Sequence, residues 1–271
     1  MAIKLVSLMA ANADPTYRAI AGYLAQRLEL PITCVEDLPW QERARMLEHG
    51  QAAIGAICGA VYVHLAAQSA PPVQLLAAPV MHAARYQGQP IYFSDLVVPA
   101  DSHARNLADL RGQLLAYNEP NSYSGYQVVR AHLASQGTPQ GFFGGIVAAG
   151  SHQAALRMVV AGAADAASID SIVLERELQL HPELTAGLRT IATLGPSPIP
   201  PLVAAQQLPP TTTRALRATL LQMHENAEGR RILRAGRLAR FVAVEDADYN
   251  HIRDQLRLAT SIDLANTLSI C

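Results

Sequence analysis

Two short segments in the middle of this 271-residue chain carry the residues best suited to chemistry: Asn121-Ser122-Tyr123-Ser124-Gly125 and Gly150-Ser151-His152. In each, hydrogen-bonding residues stand just before an apolar run at helical spacing. A helix that starts there presents N–H groups with no carbonyl partner and the positive end of its dipole. Two such starts opening on one gap hold a small oxyanion with neither a metal nor a basic cluster. Ser122, Tyr123 and Ser124 place hydroxyls beside those N–H groups, and Gly125 lets the backbone come close. An ordinary capped helix start uses the same residue types. His152 falls in the first turn of the second helix, where it can donate a hydrogen bond to an anion. A surface histidine beside a serine cap is the plainer alternative.

Other residues are weaker candidates. Asp165 and Asp170 flank the small strand Ala166-Ala167-Ser168-Ile169, an odd number of steps apart, so they need not share a face. Asp170 at the strand end can meet a ligand's ammonium or hydroxyl group, and it serves equally well as the N-cap of the next helix. Tyr62, after the third strand, and Tyr92, at a crossing between lobes, each offer an apolar ring face with a hydroxyl; core packing with a satisfied hydroxyl explains them as well. The enzyme templates are missing from the sequence: there is no G-x-S-x-G elbow, no Walker loop and no H-E-x-x-H. Gly141-Phe142-Phe143-Gly144-Gly145 is glycine-rich but lacks the lysine of a phosphate loop. Neither the histidines nor Cys34, Cys58 and Cys271 show metal-ligand spacing. No catalytic residue, metal or cofactor is assigned.

The elements that must position these residues alternate. Ile3–Leu8 reads as a strand, Asp14-Pro15 as the N-cap and first residue of a helix through Leu28, Ile32–Val35 as a strand, Trp40–His49 as a helix and Ala53–Ile57 as a strand. Strand and helix in turn imply a parallel, doubly wound sheet. Tyr92–Val98 is an extended crossing. Leu114–Tyr117, Ile146–Ala149 and Ala164–Ile169 are then strands whose ends deliver the first polar loop, the second polar loop and Asp170. In open α/β sheets ligands bind beyond the carboxyl ends of the strands, so these three loops are expected on one edge. Gly195-Pro196-Ser197-Pro198-Ile199-Pro200-Pro201 is a stiff connector leading back, and helices follow around Leu216–Met223, Glu228–Ala235 and Asp246–Leu258.

Composition narrows the function. Half the residues are apolar, only 16% are charged, and the net charge is -1, with no Lys/Arg stripe for nucleic acid. Aromatics are 5%, too few for a stacking platform. No apolar run reaches membrane-spanning length, so direct membrane insertion is not expected. The N-terminus reads as a strand and not as a secretory leader. As written the chain is expected in the cytoplasm, and in the periplasm if a leader has been removed.

The ordered set of segments resembles the substrate-binding proteins of phosphate, phosphite and phosphonate ABC importers. It runs from Tyr86-Gln87-Gly88-Gln89-Pro90-Ile91-Tyr92-Phe93-Ser94, through Leu107–Gly112, Asn121–Tyr126, Gly150–Leu156 and Gly162–Asp170, to Arg240–Val244 and Asp246–Tyr249. The resemblance implies a two-lobed, α/β, periplasmic-binding-protein-like (type II) fold with two hinge crossings, lobe 1 being residues 1–96 plus 192–271 and lobe 2 residues 97–191. It implies that Ser122, Tyr123 and Ser124 hold a phosphorus oxyanion in an inter-lobe cleft, that His152 joins them, that Asp170 meets an amino group, and that Tyr62 and Tyr92 are the cleft tyrosines. The implied ligand is phosphate or a phosphonate, and the implied partner an ABC permease if the protein is exported. Tyr123 departs from the pattern, a large ring where a small hydroxyl residue is common. Two alternatives stay open: a cytoplasmic lyase of the same fold acting on a small carboxylate, with His152 or Asp170 as acid or base, and a ligand sensor.

Overall fold

The structure is a computed structural model that describes residues 2–265; Cys271 lies outside them. The chain forms two units, one from the chain up to Ile91 and Pro198–Asn250, the other from Tyr92–Ser197 and the segment from His251 onward. In chain order the first unit contributes strands β1 (Ile3–Ser7), β2 (Ile32–Val35), β3 (Ile54–Ala56) and β4 (Val73–Met81). The second contributes β5 (Ile91–Pro99), β6 (Leu114–Tyr117), β7 (Gly145–Ala148), β8 (Ala166–Asp170) and β9 (Leu188–Pro198). Strands β10 (Leu202–Ala205) and β11 (Leu238–Val242) then return to the first unit.

The sheet of the first unit has the order β11-β4-β10-β3-β1-β2. Strand β1 runs parallel to β2 and β3, as the alternating pattern predicts, but β10 is antiparallel to both β3 and β4, and β11 is antiparallel to β4. The sheet is therefore mixed, not parallel: the returning chain enters it from the second unit and not through a βαβ crossover. One helix start also differs. A short turn at Ala11–Ala13 runs straight into the helix Asp14–Leu28, so Asp14 has helical dihedrals and Ala13 takes the capping position predicted for Asp14. The Asp14 carboxylate instead lies 3.5 Å from Arg43. Cys34 and Cys58 are half-buried and outside any disulfide.

The second unit positions the candidate residues. Its sheet has the order β7-β6-β8-β5-β9, with β6 parallel to both β7 and β8 and β5 antiparallel to β8. The three parallel strands end on one edge, and the polar loops follow there. Ala116 and Ala167 pair across β6 and β8 and present small faces. Against them pack Ala155, Leu156 and Val159 of the helix His152–Val160, with Ile169 and Leu174, all buried. Burial of each such Leu, Ile or Val side chain stabilises the unit by roughly 1.5–3 kcal/mol, which anchors the helix whose first turn holds His152.

Lobe 1, as drawn from the sequence, keeps residues 192–271 together, whereas the segment after Asn250 belongs with the second unit. Backbone and side-chain hydrogen bonds explain why. Gly141 and Phe143 donate their N–H groups to the carbonyls of Asp263 and Leu264, at 3.0 and 2.9 Å. Arg130 donates to the carbonyl of Ile262 at 2.9 Å, and Gln140 to that of Ser261 at 2.9 Å. Ile262 and Leu264 are themselves buried.

Candidate oxyanion site

The first polar loop leaves β6 at Tyr117 and enters a turn of π-helix, Tyr123–Gln127, that continues as the α-helix Val128–Ser135. The helix thus begins on the polar segment itself. Ser122 caps it, its hydroxyl accepting the Gly125 N–H at 3.1 Å. The Ser124 N–H, earlier in that turn, has no carbonyl one turn back to bond. Among the described residues, no protein group holds the Ser124 hydroxyl. The second polar loop leaves β7, and Ser151 caps the helix His152–Val160 by accepting the Ala154 N–H at 3.0 Å. The two loops are tied at their base, since Ala149 and Gly150 donate to the carbonyls of Tyr117 and Asn118, at 2.7 and 2.8 Å.

The two helix starts meet at Gly125. A Cβ added there would stand 1.8 Å from the side-chain oxygen of Asn118 and 3.1 Å from Cε1 of His152. Glycine is needed for space and not for conformation. Behind the first turn, two buried serines hold its backbone. The hydroxyls of Ser94 on β5 and Ser168 on β8 reach the Ser124 carbonyl at 2.6 and 2.8 Å and stand 2.7 Å from each other. Tied by its carbonyl at the back, Ser124 turns its N–H toward the open end of the helix. Two helix dipoles and a set of neutral donors thus meet at one spot, an arrangement suited to an anion.

Over residues 9–249 the chain matches the family described as ABC transporter, phosphonate, periplasmic substrate-binding protein. The chain belongs to that family. Comparison with curated proteins by sequence finds no match. Among solved structures, the binding protein component of an ABC phosphonate transporter from Pseudomonas aeruginosa is 19% identical, with a TM-score of 0.83 over 96% of this chain and 86% of that one. PhnD1 from Prochlorococcus marinus, solved in complex with methylphosphonate, is 18% identical, with a TM-score of 0.82 over 96% and 99%. The periplasmic aliphatic sulphonate binding protein SsuA from Escherichia coli is 14% identical, with a TM-score of 0.61 over 96% and 86%. At these identities the likeness shows the fold, a two-lobed α/β fold of the periplasmic-binding-protein kind. The family is one of transporter solute-binding proteins and not of enzymes, so the lyase alternative falls. Among the described residues no helix is long and apolar enough to cross a membrane.

The second unit of this binding protein brings together Ser122, Tyr123, Ser124 and His152. Tyr123 is buried, its hydroxyl 3.2 Å from that of Ser197 and its ring centroid 6.5 Å from that of Tyr92, which is also buried. The large ring thus lies inward, its hydroxyl occupied beside Ser197. Asp170 sits at the end of β8 with its carboxylate turned to the next helix, where Oδ1 accepts the N–H groups of Ile172 and Val173 at 2.8 and 3.4 Å. Asp165, by contrast, accepts the Leu114 N–H at 2.8 Å from an exposed position. Tyr62 belongs to the first unit, where its hydroxyl donates to Asp246 at 2.8 Å and its ring lies 4.8 Å from that of Tyr249.

Burial sets the ionisation of the site. His152, predicted as a possible surface residue, is buried, and desolvation pushes its pKa down to about 4 despite a hydrogen bond to the backbone of Ser168. It is a neutral imidazole at neutral pH. Asp170 is pushed up to about 7, again chiefly by burial, against the pull of the two N–H groups it accepts. Three residues at the candidate site escape the sequence reading: Asn118, Ser94 and Ser168. Isolated hydroxyls inside the apolar strands β5 and β8 are the signal that marks the serines, since a buried hydroxyl needs a partner. For Asn118 the only signal is its place one residue after a strand end.

Proposed function

We propose that this protein captures a small phosphorus oxyanion, phosphate or a phosphonate, at the cradle of Ser122, Tyr123, Ser124 and His152. In this role it is the periplasmic solute-binding component of an ABC uptake system and hands its ligand to a permease. One observation carries the reading: two helix starts, each with its capping serine already engaged, converge on Gly125. The Ser124 hydroxyl and the first-turn N–H groups of both helices are the donors, and Tyr92 borders the ligand's substituent beside Tyr123. Neutral donors hold a compact anion by geometry, and hydrogen bonds to a charged acceptor are about twice as strong as those between neutral groups. The family match and the methylphosphonate named with PhnD1 support the ligand class.

Isothermal calorimetry with phosphate, methylphosphonate, aminoethylphosphonate and a simple dicarboxylate tests the reading. Tight binding of at least one phosphorus oxyanion, with the dicarboxylate failing to compete, is the expected result. Preference for the dicarboxylate, or no binding of any of the four, would end it.

A further inference from the structure

At the point where the two helix starts meet, two buried atoms lack hydrogen-bond partners among the described residues. One is Oδ1 of Asn118, a residue 9% exposed. The other is Nδ1 of His152, 7% exposed. The backbone of Ser168 lies beside the imidazole, and Nδ1 makes no hydrogen bond to the protein. A neutral ring with its hydrogen on Nε2, on the side of Ser168, carries a lone pair on Nδ1. Asn118 Oδ1 and His152 Cε1, the carbon between the two ring nitrogens, lie within 3.1 Å of the same point above Gly125.

An oxyanion oxygen without hydrogen brings only lone pairs to this corner, where it meets two further lone pairs. A hydroxyl on the ligand brings the hydrogen they lack. Buried acceptors left unpaired are expensive, and a site built to bond a ligand hydroxyl rejects the analogue without one. Resting on the oxyanion reading above, we infer that the site takes its phosphorus oxyanion in the form that carries one P–OH. That hydrogen goes to Asn118 or His152, and sulfonates, which have no such hydrogen, are rejected.

The test is calorimetry of the whole protein in buffers of differing ionisation enthalpy, at a pH well above the second ionisation of methylphosphonate. Binding is expected to take up a proton per ligand, because the dianion in solution is bound as the monoanion. Methanesulfonate, of similar size and shape, is expected to bind about a hundredfold more weakly or worse. The titratable groups on the surrounding elements include Tyr92, Asp95, Tyr117, Glu119, Tyr123, Tyr126, His132 and Asp170. Uptake by one of these or by His152 would accompany sulfonate binding as well, so proton uptake with both ligands overturns the inference. Methylphosphonate binding without uptake, or equal affinity for both ligands, also overturns it while leaving the oxyanion reading intact. Failure of every phosphorus oxyanion to bind removes both. In Asn118→Ala the ratio of phosphonate to sulfonate affinity should shrink, and an unchanged ratio together with unchanged proton uptake in His152→Ala counts against the assignment of acceptors.

Discussion

The side-chain oxygen of Asn118 stands 1.8 Å from the point that a Cβ on Gly125 would occupy. The loop after β6 and the first turn of its helix are therefore fitted to a glycine. In Gly125→Ala the Asn118 amide must move, and with it the corner where the two helix starts meet. Inserting a methyl into a filled space costs typically about 1–3 kcal/mol. The expected outcome is a loss of that size in chemical denaturation, with weaker oxyanion binding by calorimetry. Wild-type affinity in a stably folded Gly125→Ala protein would show that the corner is not part of the site.

Ser94 and Ser168 make three short oxygen contacts, two to the Ser124 carbonyl and one to each other, yet between them they own two hydroxyl hydrogens. Only two of the three contacts hold a hydrogen at any moment. Removing one serine leaves the carbonyl with the other donor, so each single alanine variant should lose about 0.5–1.5 kcal/mol of stability. Removing both leaves a buried carbonyl unpaired. The double variant should therefore lose more than the sum of the singles, by about 1–3 kcal/mol. A double-mutant cycle by urea denaturation measures the excess, and strict additivity would mean that the carbonyl finds another donor.

Ser124 gives the cleanest separation of binding from folding. Its carbonyl is tied by the two serines, while no protein group among the described residues holds its hydroxyl. Ser124→Ala should leave stability within about 0.5 kcal/mol of wild type. It should weaken oxyanion binding by about 1.5–3 kcal/mol, the contribution of one hydrogen bond to a charged group. Calorimetry with methylphosphonate reads the affinity and thermal denaturation reads the fold.

The donors of the site were legible in the sequence because helix starts carry a local signature, polar cap residues before an apolar run. Ser122, Ser151 and Asp170 all cap helices where that signature places them. The acceptors were not legible. Asn118 becomes part of the site only because Gly125, seven residues on, folds back against it, and the burial of His152 depends on β6 and β8 at its back. The mixed order of the first sheet was hidden for a related reason. Alternating elements speak for parallel pairing, but a strand that returns from another unit can enter in either direction, and nothing local to Leu202–Ala205 fixes which. The segment after Asn250 likewise docks through backbone carbonyls, which every residue has.

Asp170 discriminates between a cap and a ligand contact. Its carboxyl is pushed up to about 7 by burial, assisted by the charges of Asp95 and Glu175 and opposed by the Ile172 and Val173 N–H groups. A folded pKa above the unfolded value of 3.8 means the folded protein holds the proton more tightly. The contribution to stability is full below that lower value and is lost as the pH rises through about 7. The Asp170→Asn variant has no proton to lose at this position but keeps an amide oxygen for the helix N–H groups. The wild-type stability minus that of the variant should therefore fall with rising pH across this window and level off above it. His152, pushed down to about 4, acts in the opposite sense, losing its contribution as the pH falls below 6.5, but it is common to both proteins and cancels in the difference. Denaturant melts at a series of pH values give the curve. As a cap, Asp170 should also affect methylphosphonate and aminoethylphosphonate by the same factor on substitution. A loss confined to aminoethylphosphonate would instead give the carboxylate an ammonium to hold, and would require it to release the two N–H groups it now accepts.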